Sequence, residues 1–167
     1  MSNKHYLPSL VTGFGAAVLT TVPGVKEFGC CLIVPLAVFT ALLLFRKTLN
    51  GDKNLSIKTS LMIGFLTGIF AAIFTTGFDV LVTLFTYSND FVQALPETTK
   101  LLEELKLGEA ANQTLNLMNS MANQITSTGF SLLYTIFIFF SNVIIDSIFG
   151  LLGGILGRIV VNRRSSI

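Results

Sequence analysis

The feature that most constrains the fold is the apolar run Gly129–Val161, in which Asp146 is the only charged residue before Arg158. This run is longer than the about 20 apolar residues that a helix needs to cross a bilayer. At about 100° per residue, its small and polar residues fall on one side of a helix, and bulky apolar residues fall on the other. The small and polar side consists of Asn142, Asp146, Gly150, Gly153, Gly154 and Gly157. We predict a membrane helix that turns this side toward protein and its bulky side toward lipid.

The glycines of this run form two overlapping GxxxG pairs, Gly150/Gly154 and Gly153/Gly157. Glycine is frequent in membrane helices, so a chance occurrence is the alternative explanation. Because both pairs lie on the polar side of the helix, we interpret them as a surface for close helix packing.

Composition supports a protein that lies in a membrane. The chain is 51% hydrophobic and 12% charged, whereas soluble domains carry roughly 25% charged residues. Four separate apolar runs account for the excess, and the net charge of +2 does not indicate nucleic-acid binding. We therefore predict a single all-α, polytopic membrane domain over residues 1–167. Its four membrane helices are expected at about residues 7–22, 28–45, 57–85 and 129–161.

The first two predicted helices form a hairpin that turns at Pro23-Gly24. Pro35 lies inside the second helix and is expected to kink it, because proline removes a backbone hydrogen bond. Cys30 and Cys31 are neighbours in the sequence, so they point in different directions on a helix. We interpret them as packing residues and not as a disulfide or a metal site.

The third helix repeats the arrangement of the last one, with Gly64, Gly68, Thr75 and Asp79 on one face. We predict that the two helices pack antiparallel through these faces, with Thr75 level with Asp146 and Asp79 level with Asn142. In that arrangement Asp146 is neutral, or bonded to Thr75, Asn142 or a trapped water, and does not face lipid.

Residues 86–128 are the only substantial segment outside the four apolar runs. Pro96 and Gly108 are expected to bracket a short helix, and a second, amphipathic helix is predicted over about residues 109–125. The apolar side of the second helix includes Leu115, Met118 and Ile125. This side either covers the membrane or the helix bundle, or forms a surface for a partner protein.

The distribution of basic residues predicts the orientation in the membrane. Three segments that four spans place on one side carry eight basic residues: Lys4, Arg46, Lys47, Lys53, Lys58, Arg158, Arg163 and Arg164. The other side carries Lys26, Lys100 and Lys106. We therefore expect both termini in the cytoplasm and the loop 86–128 outside.

No catalytic, metal or phosphate-binding motif is present in the sequence, and the single histidine, His5, has no neighbouring metal-ligand residue. We expect no enzyme activity and no cofactor. The acids Asp79 and Asp146 could be structural hydrogen-bonding groups, could handle protons or ions, or could bind a partner. An accessory subunit of a membrane complex is the first functional hypothesis, and a small oligomeric transporter or proton-conducting protein is the alternative. The expected partners are membrane lipids and other membrane-protein subunits or further copies of this chain.

The layout of the whole chain resembles a family of small four-helix membrane proteins. The features that carry the resemblance are the short first hairpin, the polar loop Arg46–Ser56 followed by Lys58, the glycine-rich third helix, the long helical loop, and the terminal Arg163-Arg164. The family is a bacterial domain-of-unknown-function family, common in Bacteroidetes. The resemblance implies four helices in the bacterial inner membrane and no particular activity.

The topology can be tested with single cysteines introduced as Asn116→Cys and Ser165→Cys in a chain lacking Cys30 and Cys31. We expect a membrane-impermeant thiol reagent, added to intact cells, to label the first variant and leave the second unlabelled until the cells are opened. Labelling of both positions from the same side would contradict the predicted topology.

Overall fold

The structure is a computed structural model, and it describes residues 6–22, 24–49, 54–105 and 108–163. Several predictions concern residues outside these ranges. They are the positions of Lys4, His5, Pro23, the turn at residues 50–52, Lys53, Lys106 and Arg164.

The described residues form six α-helices, which confirms the all-α prediction. Their bounds are α1 Tyr6–Thr20, α2 Val34–Thr48, α3 Ile57–Thr86, α4 Asp90–Glu104, α5 Glu109–Thr128 and α6 Leu132–Arg163.

Three helical segments within the described residues are long and apolar enough to cross a membrane: Gly29–Thr48, Ile57–Thr86 and Leu132–Arg163. The protein is therefore a membrane protein. The first predicted span, α1, has 15 residues and extends about 22 Å at the α-helical rise, less than the about 30 Å of a hydrocarbon core. α1 is therefore apolar but shorter than the other three segments.

The prediction for the second apolar segment was a regular helix with a kink at Pro35, and the structure differs from it at the start of the segment. A 3-10 turn at Lys26–Phe28 and a π-helical turn at Gly29–Ile33 precede α2, and Pro35 occupies the first turn of α2. In the π turn the Val34 N–H donates to the Gly29 carbonyl. This wider turn precedes the proline, whose ring would clash with a carbonyl in an α-helical turn and which offers no N–H.

The contacts divide the chain into two compact units, Met1–Phe78 with Phe139–Ile167, and Asp79–Ile138. In the first unit, α1, α2, most of α3 and most of α6 pack around two buried clusters. One consists of Val38, Ala41, Leu42, Phe45, Leu55, Ile63 and Val161. The other consists of Ala16, Val34 and Ala71, with Phe149 packed against it.

In the second unit, α4 begins earlier than predicted. The Asn89 side chain caps α4 by accepting the Val92 N–H at 3.0 Å, so Pro96 lies inside the helix and not at its start. The helix ends at Glu104, before Gly108. A good cap at Asn89 therefore outweighed the preference of proline for the first helical position. The second amphipathic helix, α5, ends at Gly129, whose φ of 72° favours glycine.

The bulky side predicted for α6 is exposed at the surface of the chain over most of its length. Among these residues Phe137 is 68% and Ile144 is 59% exposed. The other exposed members are Phe140, Ile148, Ile155 and Ile159, whereas Leu151 is half-buried. Side chains of this kind at the surface of a membrane helix are suited to contact lipid.

One end of the first unit is held together around the buried residue Leu55. The Asn162 side chain accepts the Leu55 N–H at 2.9 Å and donates to the Leu55 carbonyl at 3.2 Å. Arg158 Nε also donates to this carbonyl, at 2.9 Å, and Arg46 Nη1 donates to the Val161 carbonyl at 2.6 Å. This Leu55 clamp connects the ends of α2 and α6 to the residues just before α3.

Replacing Asn162 with alanine should destabilise the protein by about 1–3 kcal/mol, because the buried Leu55 N–H loses its partner. Unfolding of the purified chain in mixed detergent micelles would measure the change. The matched control is Asn116→Ala in α5, where the side chain is exposed and the change should be within about 0.5 kcal/mol. Equal stability losses in the two variants would contradict a role for the clamp.

Candidate functional site

The central contact of the first unit joins α3 and α6 at backbone distance. A Cβ atom added to Gly64 would collide with the Gly150 carbonyl oxygen, and one added to Gly150 would collide with the Gly64 carbonyl oxygen. A Cβ atom on Gly154 would lie 2.6 Å from the Ser60 carbonyl oxygen. Because contacts this short do not occur for real Cβ atoms, only glycine fits at these positions. The contact runs antiparallel, since rising residue numbers in α3 meet falling numbers in α6.

The remaining glycines of α6 face a different helix. A Cβ atom on Gly153 would lie 2.8 Å from Pro35 Cα, and one on Gly157 would lie 2.9 Å from Leu42 Cδ1. The two GxxxG pairs of α6 therefore contact two neighbours, with Gly150/Gly154 against α3 and Gly153/Gly157 against α2.

The register of α3 against α6 differs from the predicted one by seven residues, from Thr75 to Gly68, which is nearly two helical turns. Gly68, and not Thr75, lies opposite Asp146, because a Cβ atom on Gly68 would lie 2.7 Å from the Asp146 carbonyl carbon. Thr75 instead shares a hydrogen bond with Thr20 of α1, at 3.3 Å. The prediction aligned the two helices by their apolar ends, whereas the closest possible glycine contact determines the register.

Two pairs of polar side chains connect helices beyond the glycine contacts, toward the C-terminal end of α3. Asn142 Nδ2 donates to Thr76 Oγ1 at 3.1 Å, and Thr20 and Thr75 form the second pair. Asn142 therefore bonds α3 through Thr76, whereas the predicted register placed Asp79 at the level of Asn142. Sequence reasoning missed Thr76, which lies on the flank of the predicted face and is 5% exposed.

Asp146 is buried, with 8% of its surface exposed, so its side chain does not lie on the exposed side of α6. Among the residues that the structure describes, its carboxylate forms no hydrogen bond. Of the expected alternatives for Asp146, the bonds to Thr75 and Asn142 do not form, because the shifted register gives both residues other partners. In projection down α6, Asp146 falls between Gly150, which faces α3, and Gly153, which faces Pro35 of α2.

Two further buried hydroxyl groups lie at the level of Asp146. Thr67 immediately precedes Gly68 and is fully buried, and Ser147 follows Asp146 and is 8% exposed. Within the described part of the chain, Thr67 Oγ1 and Ser147 Oγ have no hydrogen-bond partner. Other hydroxyls in the apolar helices donate to their own backbone, as Thr12 does to the Pro8 carbonyl at 2.9 Å. Neither residue was singled out by sequence reasoning, although each adjoins a predicted site residue.

The second intramembrane acid, Asp79, belongs to the other compact unit. Its side chain is half-buried, and its backbone carbonyl accepts a hydrogen bond from the Thr83 hydroxyl at 2.7 Å. The structure therefore assigns the two acids to separate units.

The apolar side predicted for α5 is largely covered by the chain itself. Ile125 is fully buried, and Leu115 and Met118 are half-buried. The large apolar side chains that α4, α5 and the residue after α4 expose are different ones. They are Leu101 at 60%, Leu105 at 63% and Leu117 at 56% exposure.

The fold and the helix contacts define an α-helical integral membrane protein whose central helices pack through glycine. The chain belongs to the DUF4199 family, described as a protein of unknown function, whose family model matches residues 5–158. This confirms the predicted resemblance to an uncharacterised family. No curated protein and no solved structure matches the chain.

The glycine contact can be tested by comparing two substitutions in α3. Gly64→Ala should destabilise the protein by about 1–3 kcal/mol, because the added methyl group overpacks the contact with Gly150. Gly77→Ala is the matched control, since its Cβ would meet nothing within 4 Å, and alanine favours helix by up to about 1 kcal/mol. Unfolding in mixed micelles would measure both. Equal effects of the two substitutions would contradict the packing role of Gly64.

Proposed function

We propose that the protein is a non-catalytic integral membrane protein that serves as a structural or accessory subunit and associates with other membrane proteins. The observation that carries this proposal is the closed contact between α3 and α6. Gly64, Gly150 and Gly154 bring the two backbones together without space for a side chain. Such a contact leaves no passage between these two helices, and it suits a rigid scaffold better than a moving or conducting element.

The polar groups of the first unit support the same proposal. Helices in lipid gain little from hydrophobic burial against each other, so small residues and interhelical hydrogen bonds worth about 0.6–2 kcal/mol each hold them together. The pairs Asn142–Thr76 and Thr20–Thr75 are of this kind. These polar groups are used to connect helices within the chain.

We further propose that α1 is the fourth membrane helix, despite its length. It lies against α3, because a Cβ atom on Gly13 would lie 2.8 Å from Phe70 Cβ. Ser9 Oγ donates to the Ile63 carbonyl at 3.3 Å. The opposite side of α1 exposes Leu7, Val11, Phe14 and Val18. A short helix packed along a spanning helix, with apolar side chains outward, is suited to lie in the same bilayer.

With four membrane helices, the distribution of the basic residues supports an orientation with both termini in the cytoplasm and the segment 86–128 outside. The proposed location is the bacterial cytoplasmic membrane, as the layout of the chain suggests. Outside the membrane, α4 and α5 would present Leu101, Leu105 and Leu117 to a partner subunit or to the membrane surface.

A small oligomeric transporter or proton- or ion-conducting protein is the second candidate function. The observation that favours it is the buried Asp146, whose carboxylate has no hydrogen-bond partner among the described residues. An ionisable group in this position is costly in a membrane unless it binds a proton, an ion or a partner. Asp79 would be the second acid of such a protein.

Purification of the tagged full chain from its own membranes in mild detergent tests the accessory-subunit proposal. We expect another membrane protein to co-purify in stoichiometric amount. Leu117→Glu should reduce this amount at least tenfold, because a charge replaces an exposed leucine at the contact surface. The matched control is Asn116→Glu, which adds the same charge at the neighbouring exposed position and should retain the partner.

Recovery of this chain alone, in wild type and both variants, would contradict the accessory role. Flux of protons or sodium into proteoliposomes that contain the purified chain would then support the second candidate.

A further inference from the structure

We propose that Asp146 and Thr67 form a binding site for one small monovalent cation, of the size of sodium, inside the first unit. This inference rests on the second candidate function, because it names the ligand that Asp146 would take. It concerns binding, and the site would stand whether or not the protein moves the cation across the membrane.

Both side chains are buried without a hydrogen-bond partner in the described part of the chain. Thr67 is fully buried, and Thr67 Oγ1 has no partner within the described residues. Asp146 is 8% exposed, and no hydrogen bond to its carboxylate forms in the same part of the chain. Buried hydroxyls and carboxylates in proteins nearly always bind protein groups, water or an ion.

Thr67 and Asp146 lie at the same level along the packed helices α3 and α6. A Cβ atom on Gly68, the residue after Thr67, would lie 2.7 Å from the Asp146 carbonyl carbon. The closest approach of α3 and α6 at this level is therefore immediately beside both residues.

Both residues lie on sides of their helices that face the rest of the bundle. The Thr67 carbonyl oxygen lies 3.0 Å from the Cβ position of Gly13 in α1, so Thr67 lies on the side of α3 that meets α1. In projection down α6, Asp146 falls between Gly150, which faces α3, and Gly153, which faces Pro35 of α2. The interior between α1, α2, α3 and α6 is the region that both positions share.

The carboxylate of Asp146 has no basic side chain of α3 or α6 to balance its charge within the membrane. The sequence has no lysine or arginine between Lys58 and Lys100 or between Lys106 and Arg158, so α3 and α6 offer Asp146 no basic partner within the membrane. An unpaired carboxylate in a medium of low dielectric constant is very unfavourable. A single bound positive charge removes this cost, and a monovalent ion balances one carboxylate where a divalent ion would leave a net charge.

The ligand atoms of the proposed site, which are all oxygens, determine the class of cation. A carboxylate and a hydroxyl are oxygen ligands, which suit hard cations and not the soft or borderline transition metals. The close approach of the backbones at Gly68 favours a small ion over a large one, and water would supply its remaining ligands.

Thermal unfolding of the full chain in detergent, in sodium chloride and in choline chloride at equal ionic strength, tests the proposal. At a sodium concentration about ten times the dissociation constant, we expect Tm to be about 3–6 °C higher than in choline chloride. An equal Tm in the two salts would overturn the proposal and indicate that Asp146 is simply protonated.

Three variants locate the site. Asp146→Asn keeps the shape of the side chain and should abolish the sodium-dependent shift. Thr67→Val keeps the charge and should raise the sodium concentration for the half-maximal shift about tenfold or more. The matched control is Ser147→Ala, which also removes a buried hydroxyl without a partner. Ser147 points about 100° away from Asp146 on the helix, so its removal should leave the sodium response unchanged.

The possible outcomes distinguish sodium binding at Asp146 and Thr67 from sodium transport across the membrane. A wild-type sodium response in Thr67→Val would overturn the proposal even if Asp146→Asn does not fold. A sodium shift that depends on Asp146 and Thr67, without sodium flux in proteoliposomes, would support the site and contradict the transport function. Flux without any such shift would support transport and overturn this site.

Discussion

The contact between α3 and α6 at backbone distance is the constraint on which the rest of the first unit depends. Gly64 and Gly150 each face the other's carbonyl oxygen, so a single methyl group on either would force the helices apart. This contact determines which residues of α3 meet which residues of α6. It gives Asn142 the hydroxyl of Thr76 as a partner and places Asp146 opposite Gly68. Packing against α2 through Gly153 and Gly157 then connects α6 to the second apolar segment.

The polar groups in the apolar helices fall into two classes with different physical roles. Most are satisfied, either by bonds between helices, as in the pair Thr20–Thr75, or by bonds to their own helix, as in Thr12. Because a lipid environment offers no water, such bonds are needed for each polar group. Asp146, Thr67 and Ser147 have no hydrogen-bond partner within the described chain. Of these three, Asp146 and Thr67 are the residues that we propose bind a cation.

The sequence alone supported the all-helical membrane class, the family resemblance and the exposed bulky side of α6, because hydrophobic length and periodicity are local properties. It also identified the glycines of α3 and α6 that contact neighbouring helices, since small residues on a polar side are a signal that one helix carries by itself. It did not identify Thr67 or Asn162. Thr67 resembles any threonine in an apolar run, and Asn162 acts on the backbone of Leu55, more than a hundred positions away.

Sequence by itself therefore determined which elements form and which faces of them are small, polar or bulky. Only the tertiary structure decided the partners of those faces. The register of α3 against α6 differs from the predicted one by nearly two turns, because it depends on carbonyl groups and Cα atoms meeting at glycine. This distance has no counterpart in periodicity. The same holds for Gly153, which faces Pro35 and not α3, and for Ile125, whose full burial depends on the helices around it. A pattern describes one helix at a time, whereas the burial of a side chain and the bonds it makes depend on which other helices pack around it.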